Sequence, residues 1–227
     1  MKSFVWRGYR WRAIWNRLHY RPVTETFHDF LIGLMKGTLT REWVEAQEAL
    51  PQPQQHVVVR WLNEIARFKR LPNNPLQLGR NVYVATGVVN AALSLAYDLY
   101  FLQLVNKLPA SLVDRLRDRV QFQGARYEIA IAATFVRAGF EIELLDEIVK
   151  KEKHCEFIAK HRQTNTEVYV EAKSRVRPGV LNEAGTFDET KTVKAGVRQL
   201  YQSALSQAPQ DKGLCARIRR TGQLAET

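Results

Sequence analysis

Cysteine is scarce in this chain of 227 residues, which contains only Cys155 and Cys215. Two cysteines are too few for a disulfide framework or for a structural zinc site, and a small strand residue is the simpler interpretation of Cys155. The five histidines show no close ligand spacing. We therefore expect a protein of a reducing compartment, and we take the cytoplasm as its location.

Long hydrophobic runs are also absent. The longest candidate, Val82 to Val105, is interrupted by Asn90, Asp98 and Gln103, which predicts a buried helix and argues against a membrane span. The chain is 45% hydrophobic, which is enough for a core, and its length suits one large domain or two small ones. These features predict a globular protein.

Acidic residues are missing from the start of the chain. Met1 to Arg21 contains six basic residues and no acid, interleaved with tryptophan and tyrosine. Basic groups bind phosphates and aromatic rings stack on exposed bases, so direct contact with nucleic acid is one interpretation. The alternatives are packing of these aromatic side chains onto the domain, and an amphipathic membrane-surface or transit segment.

The positive charge is unevenly distributed. Residues 1–120 carry 17 Lys and Arg against 9 Asp and Glu, a net charge of +8, whereas residues 121–227 carry 17 against 14, a net charge of +3. Helix signals dominate the first part, with a start at Thr40 to Trp43 and a helix from about Gln54 to Phe68. We expect a basic, all-helical N-terminal region over 1–120 that neutralises nucleic-acid phosphates, and a second domain over 121–227.

Two segments with strand-like alternation, Cys155 to Ala159 and Val168 to Lys173, flank Arg162 to Thr166, which has no apolar residue. This pattern predicts a β-hairpin with a five-residue loop. If the turn is centred on that loop, opposed positions have numbers that sum to about 327, so Glu156 faces Glu171 at roughly 5 Å. Lys173 projects from the same strand face as Glu171. The alternate positions face the core: Val168, Val170 and Ala172.

Opposed carboxylates beside a lysine favour a metal site. Mg²⁺ and Mn²⁺ prefer hard oxygen ligands, and they keep bound waters that attack phosphates. Lys173 would orient that water or neutralise the charge that develops on the phosphate. The alternative interpretation is a surface hairpin with ordinary charges.

A third carboxylate lies on a predicted helix. Residues 121–138 are apolar on most of the helix circumference, and Glu128 is the only acid between Asp118 and Glu141. An unpaired charge on such a face would be costly, so a partner is implied. That partner is either the metal site with its water shell, or an arginine, which is Arg126 or a more distant one.

The order of the predicted elements is the helix 121–138, a stop at Gly139, the strands Phe140 to Leu145, Lys153 to Ala159 and Glu167 to Lys173, and a second helix. This order resembles the core of the PD-(D/E)XK nuclease superfamily, the restriction-endonuclease-like fold, over about residues 121–207. The resemblance implies an α/β (α+β) protein with an αβββα(β) core.

The resemblance also implies roles for individual residues. Glu128 matches the acid of the first core helix, Glu156 the metal-binding acid of the second strand, and Glu171 with Lys173 the (D/E)XK pair. The backbone carbonyl of Ala172 is the expected further metal ligand. One position departs from the family pattern, because the second-strand acid is usually Asp, often after Pro, and here it is Glu after Cys.

Downstream residues supply candidates for substrate binding. Arg175 and Arg177 lie in a segment broken by proline and glycine, and Arg198 with Gln199 lies on a predicted helix from Asp188 to Gln207. After it, residues 214–218 form a poor central strand, so the sheet either gains a short edge strand or is incomplete.

Two functions of different class follow from these residues. The first is a Mg²⁺- or Mn²⁺-dependent nuclease that hydrolyses phosphodiester bonds, with DNA as the expected substrate. The second is a catalytically inactive nuclease-fold protein that acts as a nucleic-acid-binding or scaffold module.

Overall fold

The computed structural model describes residues 3–70, 85–145, 155–174 and 214–219, with backbone only for 173–174 and 214–219. The chain forms two compact units, Met1–Tyr100 (unit 1) and Phe101–Thr227 (unit 2), whose boundary precedes the predicted one at residue 120. The predicted substrate-binding residues fall outside the described residues: Arg175, Arg177, Arg198 and Gln199.

Unit 1 begins with a three-stranded antiparallel sheet, so the prediction of an all-helical N-terminal region is wrong. The strands are β1 (Ser3–Trp6), β2 (Tyr9–Ile14) and β3 (Arg17–Pro22), and they pair in the order β1-β2-β3. Aromatic and basic residues alternate along β2, which is the period of a strand with two different faces and not that of a helix.

The tight turn between β1 and β2 fixes their register. Arg7 and Gly8 form the two-residue connection, and both have positive φ, 49° and 78°. This is the property of a type I′ turn, whose twist matches that of paired antiparallel strands. The pairing therefore runs from Trp6 opposite Tyr9 to Ser3 opposite Arg12.

Helices complete unit 1. They are α1 (Phe27–Leu39), α2 (Arg41–Glu48), a 3₁₀ turn (Gln52–Gln54), α3 (Val57–Lys69) and α4 (Gly87–Leu104), whose last turn, from Phe101, belongs to unit 2. Thr26 and Asp29 form a reciprocal capping box at the start of α1, and the Trp43 amide donates to the Thr40 hydroxyl at the start of α2. The helices predicted from about Thr40 and Gln54 are confirmed.

Unit 2 is a mixed α+β arrangement. Its elements are α5 (Ala110–Arg117), α6 (Phe122–Arg137), β4 (Phe140–Leu144), β5 (Phe157–His161), β6 (Glu167–Ser174) and β7 (Leu214–Arg219). The sheet order is β4-β5-β6-β7, with antiparallel pairs up to β6 and a parallel β6-β7 pair. On α6, Phe135 packs edge-on against Phe140 at 5.2 Å and Phe157 at 5.7 Å, which joins the helix to the sheet.

The predicted hairpin is confirmed with its loop and register. Residues 162–166 connect β5 to β6, and the pairs run from Lys160 opposite Glu167 to Phe157 opposite Val170. The first strand of the hairpin begins later than predicted, because Glu156 lies in a bend before Phe157. The weak last strand is a short edge strand of the described sheet, and β7 pairs with β6 from Tyr169 opposite Leu214 to Ser174 opposite Arg219.

The β1-β2 turn requires a positive φ at Gly8, and a substitution there tests this requirement. Gly8→Ala should lower the free energy of unfolding of unit 1 by about 1 kcal/mol, because a side chain disfavours positive φ. Gly37→Ala is the matched control, for which the expected change in the free energy of unfolding has the opposite sign. Gly37 lies in α1, and an added Cβ would meet open space. This variant should raise the stability by about 0.5–1 kcal/mol. Urea denaturation followed by tryptophan fluorescence measures both, and equal effects would contradict the turn assignment.

Candidate active site

The candidate site lies where β5 begins and β6 approaches its end. The last pair of the hairpin is Phe157 opposite Val170, and Glu156 and Glu171 are the residues directly beyond it on the two sides. The Glu156 amide donates to the Val170 carbonyl at 2.9 Å, and the Glu156 carbonyl accepts from the Leu145 amide at 3.2 Å. The backbone of Glu156 is therefore held by both neighbouring strands.

The two carboxylates share a buried neighbour. Glu171 is 2% exposed, Cys155 is 1% exposed and Glu156 is partly buried. Burial raises the pKa of the Cys155 thiol, and the nearby charges of Glu171 and Glu156 raise it further, against the lowering effect of backbone hydrogen bonds. Glu156 directly follows Cys155 in the chain, and the charge of Glu171 acts on the same thiol, so both carboxylates belong to this end of the sheet.

The rest of the (D/E)XK pair follows along β6. Lys173 is two positions beyond Glu171 along β6, where its backbone pairs with Ile218 of β7. Ala172 is partly buried, and its position in β6 pairs with Arg217 of β7. The backbone carbonyl of Ala172 is thus one residue from Glu171, at the end of the strand where Glu156 lies.

Glu128 has an arginine partner. It lies on α6 at 7% exposure, and its Oε2 accepts a hydrogen bond from Nη1 of Arg115 on α5 at 2.8 Å. The alternative of a distant arginine is therefore what the structure contains, and Arg115 was not among the residues that the sequence singled out. The ion pair joins α5 to α6, while a role for Glu128 at a metal stays a prediction.

Among the described residues, no group of three or more His, Cys, Asp or Glu side chains is arranged to hold a metal ion. Glu128, Glu156 and Glu171 thus do not form such a three-ligand group. The candidate donor set is smaller and consists of Glu156, Glu171 and the carbonyl of Ala172. All of its atoms are hard oxygen donors, which fit Mg²⁺ or Mn²⁺.

Searches against protein-family models, curated proteins and solved structures gave no match to this chain. Within the described part of the chain, none of the helices has both the length and the apolar character needed to cross a membrane. The function is therefore proposed from the identities of the residues and their positions in the fold.

The ion pair between Arg115 and Glu128 should stabilise unit 2. Arg115→Met should lower the free energy of unfolding of unit 2 by about 2 kcal/mol, because it leaves the buried Glu128 carboxylate without this cation. The loss is smaller than for a fully buried pair, since Arg115 is partly exposed. Arg41→Met is the control, because Arg41 forms an exposed pair with Glu45. It should change stability little in the same denaturation experiment, and an Arg115 variant as stable as the control would contradict a structural role.

The carboxylates should be detectable through the Cys155 thiol. In chelator-treated protein with a Cys215→Ser background, Glu171→Gln should lower the Cys155 pKa, because the thiolate then faces one negative charge fewer. The pKa should stay above its ordinary value, since burial is the larger cause. Thiolate ultraviolet absorbance across a pH titration measures this. Glu167→Gln, at the exposed start of β6, is the control, and the same shift in both variants would contradict the placement of Glu171.

Proposed function

We propose that unit 2 is a divalent-metal-dependent nuclease with a restriction-endonuclease-like core that hydrolyses phosphodiester bonds in DNA. The observation that carries the proposal is the position of Glu156 and Glu171 directly beyond the last hairpin pair, beside one buried thiol.

The described part of unit 2 supports the fold proposal through its element order. Helix α6 precedes three antiparallel strands, and the last strand runs parallel to the third. Glu156 lies next to the start of the second strand and Glu171 approaches the end of the third, where the resemblance expects them.

The donor chemistry supports a hard divalent cation. Two carboxylates at opposed positions repel each other, and a shared cation would convert that repulsion into attraction. Glu156, Glu171 and the Ala172 carbonyl would hold this cation. A bound Mg²⁺ supplies Lewis-acid stabilisation of the phosphate and a water of lowered pKa.

The other protein groups are assigned roles in catalysis, in support of the site and in substrate binding. Lys173 would orient the attacking water and neutralise the charge that develops on the phosphate oxygens. Glu128 is assigned a supporting part, because its carboxylate already holds Arg115. The net charge of +11 supports a polyanionic substrate, since phosphate neutralisation supplies most non-specific affinity for nucleic acid. Substrate contacts are proposed for four further residues: Arg175, Arg177, Arg198 and Gln199.

Nicking of supercoiled plasmid DNA in Mg²⁺ or Mn²⁺ tests the proposal. Lys173→Ala should reduce the nicking rate by about 100-fold or more, because a positioned cation would be lost from the transition state. Glu156→Gln and Glu171→Gln should also abolish metal binding in calorimetry. Lys160→Ala is the matched control, since Lys160 is an exposed lysine on β5 that pairs with Glu167 at 3.6 Å. It should cut as the wild type does.

Circular dichroism of each variant separates lost chemistry from lost folding. Equal activity of Lys173→Ala and Lys160→Ala would remove Lys173 from the mechanism. If the wild type cleaves no form of DNA or RNA in either metal and binds neither ion, the nuclease proposal fails, and the inactive nucleic-acid-binding module remains.

A further inference from the structure

The N-terminal sheet carries a set of aromatic side chains on one face. The register places Phe4 of β1 opposite Trp11 of β2, and Trp11 opposite Tyr20 of β3, so these three rings form a row across the strands. Trp6 of β1 lies opposite Tyr9 of β2 in the pair next to the turn. We call this surface the aromatic face; its members are Phe4, Trp6, Tyr9, Trp11, Leu18 and Tyr20.

The rings of the aromatic face hold one another in place. Trp11 lies 6.2 Å from Phe4 with the planes nearly parallel, 6.1 Å from Trp6 and 4.8 Å from Tyr20. Tyr9 packs edge-on against Tyr20 at 5.7 Å. Ring pairs in these geometries are stabilising, so the face presents ring planes of fixed orientation.

These rings are nonetheless open to solvent. Phe4 is 56% exposed, Trp6 52%, Tyr9 41% and Tyr20 57%. Single exposed apolar side chains are ordinary on a protein surface, but a continuous cluster of this size marks a binding site. Packing of the aromatic residues onto the domain, one of the alternatives from the sequence, therefore does not account for them.

The opposite face of the sheet is the one that packs on the domain. The guanidinium of Arg12 lies over the rings of Phe27 and Phe30 at 4.5 and 5.1 Å, and His19 packs edge-on against Phe30. On β2, Ile14 is 3% exposed. Basic residues thus dock the sheet on α1, which leaves the aromatic face outward.

Arginine supplies the charge around this surface. Residues 3–22 contain five arginines, no lysine and no acid, and Arg7 and Arg17 are exposed at the ends of the strands. The guanidinium of Arg7 stacks over the Trp6 ring at 4.5 Å. Guanidinium groups bind phosphates with two hydrogen bonds and stack on flat rings, which suits them to nucleic acid.

We propose that the aromatic face binds single-stranded nucleic acid, with unpaired bases stacked on Phe4, Trp11 and Tyr20 and the strand phosphates neutralised by the exposed arginines at the ends of the strands. Sheets that present aromatic residues recognise unpaired bases in this way, because every base has a stacking surface. A second copy of the chain is a poorer occupant, since two acid-free basic surfaces repel each other. A lipid surface is less suited, because the rings pack on one another and Leu18 is the one large aliphatic side chain of the face.

The test uses the full-length protein and a fluorescein-labelled oligothymidylate, with binding followed by fluorescence anisotropy in the presence of chelator. Phe4→Ala and Tyr20→Ala should each raise the Kd about tenfold, since each removes one stacking ring that is more than half exposed. Val5→Ala is the matched control, because Val5 is 59% exposed on the other face of β1 and should bind as the wild type does. A duplex of the same strand should bind more weakly.

Three results would overturn the proposal. The first is wild-type affinity of both ring variants for the oligonucleotide. The second is binding to vesicles of anionic phospholipid that depends on the rings, with no binding to the oligonucleotide. The third is a dimer in light scattering that depends on the rings, again with no binding to the oligonucleotide. Oligonucleotide binding is measured without metal. If Phe4→Ala weakens this binding and leaves metal binding unchanged, the aromatic face acts independently of the proposed nuclease site in unit 2.

Discussion

Backbone pairing between β5 and β6 is the constraint on which the candidate site depends. The pair of Phe157 and Val170 is the last of the register, and the Glu156 amide, one residue before β5, donates to the Val170 carbonyl and holds Glu156 beside it. A slip of one residue would turn Glu171 to the other face of β6. The aromatic contact between Phe135 and Phe157 resists such a slip, because it requires the Phe157 side chain to face α6.

Unit 2 places two acidic residues in buried positions, and it does so by different means. Glu128 is compensated across a helix pair by Arg115. Glu171 is buried at a sheet end that also holds Glu156 and the thiol of Cys155. A salt bridge that is mostly buried contributes specificity to helix packing, whereas neighbouring carboxylates create a negative potential that attracts cations. The difference in surroundings supports a structural part for the first acid and a ligand part for the second.

Unit 1 uses arginine in an unusual position. Arg12 is partly buried over two phenylalanine rings, where its stem packs on apolar surface and its charge faces the ring electrons. Arg21 approaches α1 at Gly33, where its guanidinium lies against the glycine. A sheet docked through cationic side chains can display its rings to solvent, and the sequence of alternating rings and arginines thereby yields two chemically distinct faces.

The sequence by itself determined the hairpin of β5 and β6, its five-residue loop and its register. A hairpin is a local structure, and its alternation and loop length fix the register between residues close in the chain. It also determined that Glu128 needs a partner. Tertiary structure alone decided that Arg115 is this partner, that β7 pairs parallel with β6, and that the arginine face of the N-terminal sheet packs on α1. Those choices join segments through long-range contacts, and spacing along the chain does not encode which distant residue arrives.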